Sequence, residues 1–167
     1  MTTIKNKFAA LLVIAAVAAV GCSQSMVISK VDYSQSIESV LQPNENGMVA
    51  DMQHGLKFNI KPIQYAETQD TSSVTVKEVR YIRGQEGYYY ITAPHFNHVY
   101  VMAPEKGTLK LKKKITVTDS EEGLQKPALN QRMGYIQLLN QKTGDSWHLT
   151  VKGVQKEESQ MAQREDK

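Results

Sequence analysis

After residue 48, apolar and polar residues alternate with a period of two in many short runs, and this pattern constrains the fold most strongly. Leu56, Phe58 and Ile60 alternate with polar residues, and residues 147–151 repeat the pattern. Such alternation is typical of strands that bury one face and expose the other. About eight such segments lie between turn signals, so we expect a mainly β fold. The predicted architecture is a small antiparallel β-sandwich or barrel-like domain with at most one or two short helices.

Two segments are compatible with either a helix or a strand. Residues 31–42 place apolar side chains at helical spacing behind possible caps. Residues 127–141 carry a helical stripe that Pro127 could begin, but a short loop before the strand at residue 147 favours a hairpin with residues 133–139 as its first strand. Residues 66–73 are polar and rich in turn formers, which predicts a loop.

The N-terminus has the pattern of an export signal. Lys5 and Lys7 precede an uncharged apolar run over residues 8–20, which is followed by Gly21 and Cys22. The alternative is a membrane-spanning helix, but the run is shorter than the roughly 20 residues that a bilayer requires. No stop-transfer charge cluster follows, so we expect residues 1–21 to be removed as a signal peptide.

Residues 19–22, Ala-Val-Gly-Cys, resemble the lipobox of bacterial lipoproteins. The resemblance covers only the export segment, and it implies a diacylglyceryl thioether on Cys22, the single cysteine of the chain. The alternative is a free thiol. Two or three acyl chains hold a protein firmly at a membrane. Ser23 stands where an Asp would favour inner-membrane retention, so the resemblance implies the outer membrane. The resemblance does not specify the face of that membrane, and we expect the periplasmic one.

These patterns divide the chain into four parts. We expect a signal peptide over residues 1–21, a lipidated tether over 22–30, one β-rich globular domain over 31–154 and a charged disordered tail over 155–167. Removal of the signal peptide takes away two lysines and lowers the formal net charge from +3 to about +1. A charge this close to zero gives no reason to expect nucleic-acid binding.

Catalytic patterns are missing from the sequence, so we expect a protein that is not an enzyme and has no cofactor besides its covalent lipid. There is no nucleophile elbow, zinc-protease helix, phosphate-binding loop or dinucleotide fingerprint. His95 and His98 have H-x-x-H spacing, but one lies in a predicted loop and the other begins a strand, so no metal site is predicted. A Ser-His-Asp arrangement stays open, because its members meet only in space. Glu121 and Glu122 are interpreted as a solvated charge cluster.

Two groups of residues are candidates for partner binding. Tyr88, Tyr89 and Tyr90 could form an exposed aromatic strip, although the same residues could instead join the core and cover the sheet. The lysine-rich segment predicts a row of charges along one strand face, where lysines protect an edge strand or contact acidic groups. The lysines of this row are Lys110, Lys112 and Lys114, with Lys113 between them.

The sequence therefore predicts an outer-membrane-anchored lipoprotein that acts as a non-enzymatic binding or assembly component of an envelope machine, such as a secretion, pilus or conjugation apparatus. The expected partners are the membrane, through the lipid, and a protein of the cell envelope. The alternatives are a periplasmic inhibitor or immunity lipoprotein and a surface-exposed adhesin, which these patterns do not separate.

Overall fold

The computed structural model describes residues 37–70 and 72–156. Within them the fold is mainly β, with 48% strand and 7% helix in antiparallel sheets, which confirms the predicted fold class. The described elements are β1 Ser39–Leu41, β2 Met48–Asp51, β3 Leu56–Asn59, α1 Lys61–Thr68, β4 Val79–Arg83, β5 Tyr89–Thr92, β6 His98–Glu105, β7 Thr108–Thr116, β8 Pro127–Arg132, β9 Tyr135–Asn140, β10 Ser146–Thr150 and β11 Gly153–Lys156.

The strands form two main sheets and a hairpin. A five-stranded sheet has the order β1-β4-β5-β6-β7, and a four-stranded sheet has the order β11-β10-β9-β8. Strands β2 and β3 pair only with each other. All neighbouring strands are antiparallel, because tight turns connect most consecutive strands.

The five-stranded sheet is buried on both faces. Ile82, Tyr90 and Val101 belong to a first core shared with the four-stranded sheet, which contributes Leu138 and Leu149. The intervening residues face a second core, shared with the β2–β3 hairpin and α1. Its buried members include Val49, Ile63, Tyr81, Ile91 and Tyr100. Strands with two buried faces lose the clean alternation of half-exposed strands, as the apolar run of β6 shows.

Helix α1 extends into residues 66–73, for which a loop was predicted. The prediction was wrong for residues 66–68, which form its last turn. Pro62 lies in the first turn, where its missing N–H costs nothing, and it also separates the helix from β3. Ile60 at the N-cap makes no side-chain cap hydrogen bond. The local start signals of a helix are therefore weak, and packing of Ile63 in the second core holds the helix in place.

Three other local predictions are corrected by the strand pairings. Residues 39–41 form a strand against β4 and not a helix, and residues 31–36 lie outside the described residues. Residues 133 and 134 form the turn of the β8–β9 hairpin and do not begin a strand. The predicted tail begins too early, because Gln155 pairs with His148 and Lys156 with Trp147. Residues 157–167 lie outside the described residues.

Glu38, just before β1, connects the two main sheets. Its Oε1 accepts the backbone N–H of Leu129 in β8 at 2.9 Å, and its Oε2 accepts from Arg80 in β4 at 3.0 Å. Burial raises the pKa of Glu38, against the opposing effects of the Leu129 hydrogen bond and the Arg80 charge. The carboxylate thus satisfies a backbone donor on the edge strand β8, which pairs only with β9 among the residues that the structure describes.

Candidate partner-binding site

Strand β7 forms one edge of the five-stranded sheet and carries the predicted lysines. Among the described residues, only β6 pairs with it, so one side of its nine-residue backbone has no hydrogen-bonded strand, although β11 lies close to β7 near Lys113. Strand β5 pairs with β6 only as far as Met102, whereas the β6–β7 pairing continues to Glu105 and Thr108. The end of this hairpin therefore extends beyond the sheet as a two-stranded ribbon.

A register shift in β7 breaks the predicted row of lysines. Val101 is opposite Lys113 and Met102 is opposite Leu111, so Lys112 is the extra residue of a β-bulge. Lys114 is on the side of the second core: its Nζ donates to the Ala66 carbonyl at 3.0 Å and lies 5.7 Å from the centroid of the Tyr100 ring. The expectation that Lys114 continues the row of Lys110 and Lys112 was wrong. The extra residue in the bulge moves the residues after it to the opposite face of the sheet.

The lysines that stay available are near the tip of the ribbon. Lys110 is 63% exposed and pairs with the exposed Glu105 at 2.9 Å, while Lys112 is exposed on the bulge. Lys106 is exposed in the β6–β7 turn. Leu111 lies between these lysines and is 57% exposed. This apolar side chain was not among the residues predicted to bind a partner.

The three tyrosines at the start of β5 do not form an exposed strip. Tyr90 is only 4% exposed and belongs to the first core, and burial raises its pKa to about 12. Tyr88 packs against the first core, and Tyr89 packs against the second, with its ring 6.0 Å from that of Tyr81. The alternative interpretation, in which the tyrosines join the core and cover the sheet, describes them better.

A polar cluster that the sequence did not reveal surrounds Glu67 of α1, whose side chain is 5% exposed. Its Oε1 accepts from the Tyr100 hydroxyl at 2.5 Å and contacts His98 Nδ1 at 2.8 Å. Its Oε2 accepts the backbone N–H of Asn97 at 2.8 Å. Burial and the neighbouring carboxylate raise the pKa of Tyr100 above its ordinary range, so its hydroxyl stays a donor.

A second cluster with the same types of residue surrounds Asp51 at the end of β2. Its Oδ2 accepts from the Tyr81 hydroxyl at 2.7 Å and from Ser39 Oγ at 2.9 Å, and it contacts His54 Nδ1 at 2.9 Å. Its Oδ1 accepts the backbone N–H groups of Gln53 and His54. Burial alone would raise the pKa of Asp51, but the hydrogen bonds, led by that of His54, outweigh burial and lower it well below the ordinary value.

The Asp51 cluster contains a Ser, a His and an Asp, but their connections differ from those of a hydrolytic triad. In a triad the hydroxyl is bonded to the imidazole, which removes its proton. Here Ser39 Oγ donates to Asp51, the residue that also contacts the imidazole. This arrangement fixes the β2–β3 hairpin to β1 and β4 and does not activate the Ser39 hydroxyl.

The two histidines with H-x-x-H spacing contact different groups. His95 lies in a turn at φ 68° with Nδ1 3.2 Å from the Glu122 carbonyl, whereas His98 contacts Glu67. Within residues 37–70 and 72–156, no group of three or more His, Cys, Asp or Glu side chains is arranged to hold a metal ion. Glu121 and Glu122 are both exposed, in a loop.

A recess of about 450 Å³ lies on the outer face of the four-stranded sheet. Trp147 and Leu149 of β10 point into the first core, so the alternate residues His148 and Thr150 face outward. The recess is lined by Met133, Gly134, Tyr135, His148, Thr150, Lys152, Gly153, Val154 and Gln155. None of these side chains was a sequence-based candidate, since they come together only when three strands pair.

No protein-family model matches this chain, and no curated protein or solved structure is detectably similar to it. Across the described ranges, the structure also contains no helix of the length and apolar character needed to cross a membrane. The proposals below therefore depend on the sequence and on the geometry of this chain.

Proposed function

We propose that this protein is a non-enzymatic, lipid-anchored binding component of the bacterial cell envelope. In this proposal, acyl chains on Cys22 hold the domain at the outer membrane, where it helps to assemble or stabilise an envelope machine. The lipobox-like residues 19–22 support the anchor. The observation that carries the binding role is the outer edge of β7, a nine-residue strand with no hydrogen-bonded strand on one side among the described residues.

The edge of β7 suits an extended, acidic segment of a partner protein. Its backbone N–H and C=O groups can add a strand by β-augmentation, in which main-chain hydrogen bonds give affinity and side chains give specificity. Lys106, Lys110 and Lys112 lie around the exposed Leu111. Like charges oppose pairing with the same edge of a second copy, whereas acidic residues on a partner strand are attracted.

The anchor and the docking edge would work together through confinement. Fourteen residues separate Cys22 from Ile37, the first described residue. A fully extended chain of this length reaches about 50 Å, so the domain would search only a thin layer beside the membrane. Confinement raises the effective concentration toward a partner in the same layer without any additional contact.

Reversal of two edge charges tests this proposal. We expect Lys110→Glu together with Lys112→Glu to reduce recovery of a crosslinked envelope partner about tenfold or more, since attraction to an acidic strand becomes repulsion. The measurement is quantitative co-purification from crosslinked envelopes. The exposed Lys110–Glu105 pair contributes at most about 1 kcal/mol, so the variant is expected to fold normally.

The matched control is Lys57→Glu together with Lys142→Glu, two lysines that are exposed on β3 and on the β9–β10 turn. It changes the net charge equally and should retain the partner. Recovery of the unaltered protein alone, without a stable neighbour, would contradict the binding role. Equal loss of the partner in both double variants would show that total charge matters and that the β7 edge does not.

A further inference from the structure

The recess on the outer face of the four-stranded sheet has an aromatic wall. Tyr135 and His148 come from the adjacent strands β9 and β10, and their ring centroids are 4.1 Å apart with an interplanar angle of 35°. Both side chains are half-buried, so this ring pair is held in place while part of it remains accessible. A volume near 450 Å³ falls in the usual range of small-molecule sites, about 300–1,000 Å³.

The charges around the recess are positive. Lys152 lines it, and the Lys113 ammonium donates to the Lys152 carbonyl. The same ammonium lies 3.8 Å from the point where a side chain on Gly153 would begin, so Lys113 reaches the border of the recess. One lysine in the lining and a second at the border favour an anionic ligand.

The composition of the four-stranded sheet strengthens this electrostatic preference. Residues 127–156 contain four Lys and Arg residues and one acidic residue, Asp145. Asp145 lies in the β9–β10 turn, at the opposite end of the sheet from the recess, where its carboxylate accepts from Thr143. No carboxylate lines the recess within the described part of the chain.

The remaining lining is open and mixes polar with apolar side chains, among them Met133 and Val154. Gln155 is exposed and offers an amide that can both donate and accept, as sugar hydroxyls require. Met133, in the β8–β9 turn, is 93% exposed at the border. Gly134 beside it lies at φ 82°, and an added Cβ there would meet no atom within 4 Å. The border is therefore open at Gly134, beside the exposed side chain of Met133.

From these features we propose that the recess binds a monosaccharide unit that carries a carboxylate or a phosphate. The Tyr135–His148 pair contacts the apolar C–H face of the sugar ring, Lys152 and Lys113 bind its anionic group, and Gln155 binds a hydroxyl. A neutral sugar lacks the charged contact, and a simple inorganic anion lacks the ring contact. This site shares Lys113 of β7 with the docking strand but does not use Lys110 or Lys112, so the two sites can be tested by different variants.

Calorimetric titration of the lipidated protein in a sugar-free polyoxyethylene detergent tests the proposal. The probes are two matched pairs, N-acetylmuramic acid with N-acetylglucosamine and glucose 6-phosphate with glucose, together with inorganic phosphate. At up to about 10 mM, where even weak sites give measurable occupancy, we expect at least one anionic sugar to bind about tenfold more tightly than its neutral partner. We also expect it to bind more tightly than inorganic phosphate.

Variants locate the binding. Lys152→Gln should weaken the anionic sugar about tenfold, and Tyr135→Leu should weaken both members of a pair. Lys142→Gln, at the opposite end of the same sheet, is the matched control and should bind normally, as should the Lys110→Glu, Lys112→Glu variant. A Lys152→Gln protein with unchanged affinity would overturn the site.

The identity of the ligand can also be overturned. Equal affinity for the neutral and anionic members of each pair would remove the role of charge. Equal affinity for inorganic phosphate and glucose 6-phosphate would show an anion site without sugar recognition. Absence of heat with all five probes would reject a saccharide ligand altogether, and none of these outcomes bears on the β7 edge.

Discussion

Two buried carboxylates with similar partners connect the outer layer of the molecule to its central sheet. Asp51 accepts from Tyr81 and contacts His54, and Glu67 accepts from Tyr100 and contacts His98. Tyr81 and Tyr100 lie in one row across the five-stranded sheet, because both are paired with Ile91. The second core is therefore apolar at its centre, and the Asp51 and Glu67 clusters lie at its border with their buried carboxylates hydrogen-bonded.

Removal of one tyrosine hydroxyl measures the strength of such a cluster. We expect Tyr100→Phe to lower the free energy of unfolding by about 1.5–3 kcal/mol, since the buried Glu67 carboxylate loses its shortest hydrogen bond. Urea denaturation of the two proteins gives the difference. Tyr65→Phe is the control, because Tyr65 is 49% exposed on the same helix, and its expected change is below about 0.5 kcal/mol. Equal effects of the two substitutions would contradict the role of the cluster.

The sequence offers unequal information about these two clusters. Asp51 and His54 are three residues apart beside a Gly-containing turn, so their contact is local. Glu67 is more than 30 residues from both His98 and Tyr100 and lay in a segment predicted to be a loop. No spacing rule in the sequence connects a residue of the short helix α1 with residues of β6, because β4 and β5 lie between these two elements along the chain.

At the scale of elements, helix α1 is held together with the segment that follows it by Gln64, which is fully buried. Its Nε2 donates to the carbonyls of Asp70 and Ser73 at 3.2 and 2.7 Å. Its Oε1 accepts the N–H of Thr75 at 3.0 Å and that of Val76 at 3.4 Å. One side chain thus takes the place of strand pairing for residues 73–76, which join no sheet.

Substitution of this glutamine should be costly although the replacement fits. We expect Gln64→Met to lower the free energy of unfolding by about 3 kcal/mol or more, since two donors and two acceptors lose a buried partner while the volume stays similar. Thermal and urea unfolding measure the loss. Gln53→Met, at an exposed site in the β2–β3 turn, should be nearly neutral. A stable Gln64→Met protein would show that water replaces the amide.

Strand β7 shows how one extra residue changes a surface. The lysine-rich segment at residues 110–114 was correctly predicted to lie in a strand. The bulge at Lys112 then placed Lys113 beside the four-stranded sheet and Lys114 beside α1. A bulge depends on how two strands fit against their neighbours, and a period-two pattern in a single strand does not encode that fit.

At the scale of the whole molecule, Asp51 makes stability depend on pH in the acidic range. Its folded pKa lies below its ordinary value of 3.8, so the ionised form stabilises the fold at neutral pH. As the pH falls below about 4, the unfolded chain takes up the proton first, and the free energy of unfolding decreases. Glu38 acts in the opposite direction, because burial raises its folded pKa.

A comparison of two proteins isolates the contribution of Asp51. We expect Asp51→Asn to be less stable by roughly 2 kcal/mol at neutral pH. It should also lose less stability than the unaltered protein between about pH 5 and pH 2.5. Urea unfolding at a series of pH values gives the free energy of unfolding of each protein as a function of pH. Glu38 contributes equally to both proteins, so the difference between the two curves reports on Asp51. Parallel curves would contradict the role assigned to Asp51.

The sequence by itself determined the mainly β fold and the β9–β10 hairpin, because period-two alternation and turn residues act over a few positions. Tertiary structure decided the features that need distant residues. It buried Tyr90 instead of exposing it, formed α1 without a side-chain hydrogen bond from its N-cap residue, brought Glu67 to Tyr100, and assembled the recess from three strands. Local patterns specify which faces are apolar, whereas only packing decides what covers each face.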